Sequence, residues 1–147
     1  MTGLPEPKKL ESQSTRVLAV RLNYGDDLLL SLQRIIEEEG IRFGCLTFLG
    51  AVQRGVVAYY NQKERKYHTI VKDEPLEIAS GIGNISLKDG KPFIHAHVAF
   101  ADSEGKIFGG HLAEGTIVFA GEVFIQVLEL PQPPTRKYDA QTGLFLW

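Results

Sequence analysis

The sequence predicts an α+β fold, a mostly antiparallel β-sheet or partial barrel packed against one main helix. Three observations carry this. Only residues 28–36 repeat apolar side chains at helical period. From residue 41 onward, most of the chain reads as segments rich in Val, Ile, Phe and Tyr. The connections between those segments are short, which suits hairpins rather than crossovers. At 147 residues the chain suffices for one domain with a real core, placed at residues 14–147. A polar N-terminal segment, residues 1–13, is expected to be loosely held.

The elements follow in order. Residues 15–22, rich in Val and Leu, form a first strand. Asn23-Tyr24-Gly25-Asp26-Asp27 is a turn ending in a helix N-cap. Leu28, Leu29, Leu32, Ile35 and Ile36 then make one apolar stripe, and Gly40 closes the helix. Glu37, Glu38 and Glu39 crowd its last turn, where the macrodipole disfavours negative charge, and read as a solvated acidic end. Strands are expected at residues 42–49, 53–60, 67–71, 76–80, 82–87 and 92–101. Gly81 and Gly83 suggest a bulge or bend, and Lys88-Asp89-Gly90-Lys91 is a hairpin turn. Residues 116–130 are the longest apolar run, broken by Gly121-Glu122 and ended by Pro131, Pro133 and Pro134. The tail, residues 136–147, finishes in Leu-Phe-Leu-Trp and is expected to dock on the body. This makes one helix and seven or eight strands.

Composition narrows the function. Apolar residues make up 44% and charged residues 23%, as in ordinary globular proteins. Sixteen Lys plus Arg are offset by eighteen Asp plus Glu, so the net charge of −2 offers no general attraction to nucleic acid or anionic membrane. The best basic patch is Asn61-Gln62-Lys63-Glu64-Arg65-Lys66 beside Tyr59, Tyr60 and Tyr67, and it reads as a solvated hairpin tip. The other basic clusters are Lys8-Lys9 and Arg136-Lys137. Cys45 is the single cysteine, so no intramolecular disulfide can form. Its apolar setting, Cys-Leu-Thr-Phe-Leu, suggests a buried structural thiol. No membrane span and no secretory pattern are visible, and a cytoplasmic protein is expected.

The chemistry concentrates in residues 95–111, which hold three of the four histidines. His95 and His97 are two apart, so on a strand they share a face with Phe93 and Ala99. Ile94, Ala96, Val98 and Phe100 form the opposite, core-like face. An Asp-Ser-Glu-Gly turn reverses the chain, and a Gly pair leads into His111. A hairpin of this kind can bring the third imidazole beside the first two. Three neutral imidazoles with one open position suit Zn, and imidazole also accepts Cu, Fe or Ni. The plainer alternative is a pair of half-buried, hydrogen-bonded histidines beside glycines that only permit a bulge. His68 reads as an ordinary strand histidine. In a metal-dependent enzyme, Glu77, Glu104, Glu114 or Glu122 would be the general acid or base. Each also reads as a surface carboxylate. No nucleophile–base pair or phosphate loop is visible, and Gly81-x-Gly83 lacks the rest of a dinucleotide fingerprint.

Several motifs occur in a familiar order. They are Gly-Asp-Asp-Leu after the first strand, Phe-Gly-Cys-Leu-Thr-Phe-Leu-Gly-Ala-Val, Glu77-Ile-Ala-Ser-Gly, Asp89-Gly90-Lys91-Pro92, His95-Ala-His97, Gly109-Gly110-His111-Leu112 and Gly121-Glu122-Val123. From residue 16 to 147 the chain resembles the plants-and-prokaryotes conserved domain, the PPC domain. The resemblance implies a β-sheet domain with a helix, assembled as a homotrimer. It also implies a metal ion held by His95, His97 and His111. The family carries a predicted DNA-binding label because its plant members follow an AT-hook. This chain has no Arg-Gly-Arg-Pro core, which argues against direct DNA binding and leaves a scaffold or regulatory module with protein or nucleic-acid partners. A cupin also uses a glycine, His-x-His, a glutamate and a distant histidine, but here Glu104 comes too late and the third histidine too early.

Overall fold

The computed structural model describes residues 8–147. The expectation of a loosely held N-terminus falls on residues 1–13, of which residues 1–7 lie outside the described residues. The chain runs β1 (Gln13–Leu22), α1 (Leu28–Glu38), β2 (Gly44–Asn61), β3 (Lys66–Lys72), β4 (Leu76–Lys88), β5 (Lys91–Ala101), β6 (Ile107–Leu112), β7 (Ile117–Glu129), β8 (Thr135–Asp139) and β9 (Leu144–Leu146). The class is α+β, as the sequence predicts.

Asp27 caps the helix as expected: its side chain accepts from the Leu30 N–H at 3.1 Å. The other carboxylate oxygen accepts from the Gly115 N–H at 2.6 Å, tying the helix start to the approach of β7. At the far end, the N–H of Gly40 donates to Glu37 and that of Ile41 to Ile36, a Schellman closure. Leu28, Leu32 and Ile36 are buried against the inner face of the sheet, with Leu29 and Ile35 packed beside them. Glu37, Glu38 and Glu39 are exposed, and Glu39 pairs with Arg16 at 2.9 Å.

The sheet follows the order β1-β7-β2-β6-β5-β4-β8-β9, with β3 attached to β2. β2 also pairs with β4, so β2, β4, β5 and β6 close into a partial ring. All pairings are antiparallel except that of β4 with β8.

Two pairs of expected segments merge, and one expected break is absent. Residues 42–49 and 53–60 belong to one 18-residue strand, β2, which bends at Gly50 with a register shift against β4. Residues 76–80 and 82–87 are both in β4. Gly121-Glu122 does not break β7, because Gly121 pairs with both Leu22 and Gly50. In each case strands on both sides supply backbone partners, so a local breaker signal is overridden.

Cys45 is exposed rather than buried. Leu46 and Phe48 face the core, so the two-residue period turns Cys45, Thr47 and Leu49 outward. The Cys45 thiol reaches Gln126 on the neighbouring β7 at 3.5 Å.

Candidate metal centre

The histidine site is built by register. On β5, Ile94, Ala96, Val98 and Phe100 are buried, which turns His95 and His97 to the opposite face. β5 and β6 are joined by a tight turn in which Asp102 accepts from the N–H groups of Glu104 and Lys106, each at 2.9 Å. The antiparallel ladder then sets His111 directly opposite His97. β6 lies between β5 and β2, and the glycine pair lets it fit. A Cβ on Gly109 would sit 2.2 Å from the Val98 carbonyl oxygen, and one on Gly110 2.7 Å from that of Ala58. The Gly-Gly step is therefore a close-approach device that seats His111.

The three rings converge. Their centroids are 5.1 Å apart for His95–His97, 4.9 Å for His95–His111 and 5.6 Å for His97–His111. One ring nitrogen from each lies within 4.8 Å of the others. A tetrahedral zinc bound at about 2.0–2.1 Å needs nitrogens roughly 3.4 Å apart, a separation that lies within that 4.8 Å limit. His111 Nδ1 is buried and has no hydrogen-bond partner. A buried polar nitrogen without a partner costs stability, so an atom that binds there is favoured. The donor set fits a metal ion.

Electrostatics act on two of the imidazoles. Burial, reinforced by His111, Arg136 and His97, lowers the His95 pKa to about 4. His111 is also lowered, by burial first and then by His97 and Arg136. Both imidazoles are therefore neutral at neutral pH, the form that donates a lone pair to a metal.

His95 and His111 line one side of a cavity of about 530 Å³. Tyr67 packs against His111 with centroids 5.3 Å apart, and Tyr60 packs on Tyr67 at 5.0 Å. Arg65 and Lys66, expected at a solvated hairpin tip, also line this cavity. The tail docks through β8 and β9 and closes the far wall. Its Arg136 is only 7% exposed and bonds to Ser86 and Asn84 on β4. The tail docks on the body, as its apolar end predicts, but local pattern does not say which strand it covers, and the burial of Arg136 follows from that choice.

The other candidates lie elsewhere. His68 sits on β3, 2.7 Å from Glu64 and outside the cluster. Glu77, Glu104, Glu114 and Glu122 are all exposed, and none lines the cavity. Glu104 pairs with Lys106 at the β5–β6 turn. None of the four joins the cluster of His95, His97 and His111.

Fold and site together define a small β-sheet domain with a three-histidine centre seated on a β-hairpin. Residues 9–129 match the Plants and Prokaryotes Conserved (PCC) domain, and the chain belongs to that family. A metal-containing protein from Archaeoglobus fulgidus is 42% identical, with a TM-score of 0.90 over 95% of this chain and 98% of that one. A plant- and prokaryote-conserved protein from Pyrococcus horikoshii is 34% identical, with a TM-score of 0.88 over 95% and 96%. The chain is also 30% identical over 142 residues to the bifunctional protein GlmU of Synechococcus sp. (strain JA-3-3Ab). That match covers 96% of this chain, which spans about a fifth (21%) of the relative's length.

Proposed function

We propose that this protein is a homotrimeric, zinc-holding scaffold or regulatory module, with His95, His97 and His111 as the metal ligands. The observation that carries the reading is the convergence of the three imidazoles, one nitrogen of each lying within 4.8 Å of the others. The Archaeoglobus relative, described as metal-containing, supports it. Zinc suits a set of three nitrogen donors with one position left for water or a ligand.

An exposed apolar row supports self-assembly. Phe124 on β7 and Ile82 on β4 both pair with Thr47 on β2, and Ile82 also pairs with His97. These side chains share one outer face, with Phe124 49% and Ile82 58% exposed. Leu49 and Phe119 are exposed as well. Contiguous exposed apolar surface of this kind favours association. Among the described residues no helix is long and apolar enough to cross a membrane. A cytoplasmic location belongs to the same reading, supported by a single cysteine that can form no internal disulfide.

The cavity beside the histidines favours a second reading, a metal-dependent enzyme that uses the open coordination position. With no carboxylate side chain among the described residues that line the cavity, its proton-transfer group would be a metal-bound water or a tyrosine. Elemental analysis with sedimentation tests the main reading. About one zinc per chain and a mass three times 16.3 kDa are expected. A metal-free monomer after purification without chelators would remove it. Turnover of a substrate lost with the metal would favour the enzyme.

A further inference from the structure

The cavity beside the histidines is unusual in its charge. Arg136 is 7% exposed, and its three hydrogen-bond acceptors are all neutral. Nε donates to the Ser86 hydroxyl at 2.8 Å, Nη2 to the Asn84 carbonyl oxygen at 2.8 Å and Nη1 to the Phe145 main-chain oxygen at 3.1 Å. Among the described residues it forms no ion pair. A guanidinium stays charged, and here neutral acceptors and the Phe93 ring, 5.4 Å from its centre, are its only partners among the described residues, so an anion beside it would relieve the buried charge. Five N–H donors less three engaged leaves two, the number a carboxylate or phosphate accepts side by side.

The surroundings extend the same chemistry. Lys88 has no acidic partner among the described residues; its ammonium lies 4.4 Å from the Phe145 ring centroid and 5.2 Å from that of Phe93. Arg65 and Lys66 add positive charge, while among the described residues no Asp or Glu lines the cavity. Tyr60, Tyr67, Phe93 and Phe145 supply flat apolar surface. At about 530 Å³ the space is of small-molecule size.

We propose that this cavity binds a small organic anion, a carboxylate or phosphate ester on a ring or apolar body, with Arg136 as its charge partner. The aromatic walls take the body and Lys88 adds a second cation. The site stands on Arg136 rather than on the metal, so it survives failure of the zinc reading. A bound metal at the His95–His111 edge would add further positive charge. A nucleic-acid backbone is the poorer fit, because it asks for a row of exposed cations and the principal cation here is recessed.

The test is calorimetric titration of the full chain, both chelator-treated and zinc-loaded, with benzoate, phenyl phosphate and neutral benzamide. The metal-free protein is expected to bind at least one anion with Kd of about 1 mM or tighter, and benzamide at least about tenfold more weakly. The tighter anion identifies the carboxylate or phosphate source. Arg136→Lys keeps the charge but loses the fork, and Lys88→Gln removes the second cation; each should weaken binding about tenfold. Arg136→Gln should abolish it. Should that variant not fold, the other two carry the result. Benzamide binding as well as the anions, or no anion binding to the metal-free chain, would overturn the proposal. So would displacement of a bound anion by a duplex or single-stranded oligonucleotide at lower concentration.

Discussion

His111 is the ligand candidate that the β5–β6 ladder sets opposite His97, and it sets the first expectation. His111→Ala should weaken zinc binding by at least ~100-fold, measured by competition with a chromogenic chelator. His68→Ala should leave it unchanged, because His68 stands apart with Glu64. A second expectation concerns pH. Burial places the folded His95 pKa at about 4, below the ordinary value of 6.5. Between these values the unfolded metal-free chain binds a proton that the folded chain does not. Its stability should therefore fall as pH drops from 6.5 toward 4, and be insensitive to this residue above 6.5. Denaturant titrations across that range, on the native chain and on His95→Ala, decide it; parallel pH profiles would discard the attribution. The pairing of His95 with His97 was legible from the two-residue period of a strand. The burial of Arg136 was not, because it arises from contacts with Asn84 and Ser86, about fifty positions earlier in the chain.

The glycine pair shows how an element is tuned to its neighbours. β6 lies between β5 and β2, and a side chain at Gly109 would collide with the Val98 carbonyl. Gly109→Val should therefore cost about 1–3 kcal/mol, read from denaturant midpoints, and should weaken metal binding as His111 shifts. Asp27→Ala removes the helix cap and the bond to Gly115 together. It should cost about 1–2 kcal/mol without affecting metal affinity, since the cap is remote from the histidines. The helix itself was readable end to end: N-cap, stripe and Gly closure all stand where the sequence puts them. Strand boundaries were less readable. A local breaker such as Gly50 or Gly121 ends a strand only when no neighbour holds it, and here β7, β4 and β1 do.

On the scale of the molecule, the outer face of the sheet and the charge balance make opposite demands. Phe124 and Ile82 leave apolar surface exposed, and if the proposed trimer covers it, Ile82→Lys with Phe124→Glu should give folded monomers in sedimentation. The charge balance predicts weak contact with duplex DNA. At about 150 mM salt, binding to AT-rich and random duplexes should be weaker than micromolar, because few phosphates can be neutralised. Sub-micromolar binding with a steep salt slope, lost on neutralising Lys63, Arg65 and Lys66, would contradict this.

Local pattern was enough for the α+β class, the single capped helix, the core face of β5 and the shared face of His95 and His97. Each follows from periodicities of 3.6 and 2 that neighbouring residues impose. Tertiary structure alone decided that β2 and β7 run unbroken, that Cys45 faces outward and that Arg136 lies buried beside the histidines. It also left the four glutamates outside the histidine cluster and the cavity lining. These outcomes depend on which distant strand or tail supplies the backbone partner, the covering surface or the missing charge. A sequence read in short windows carries no record of those pairings.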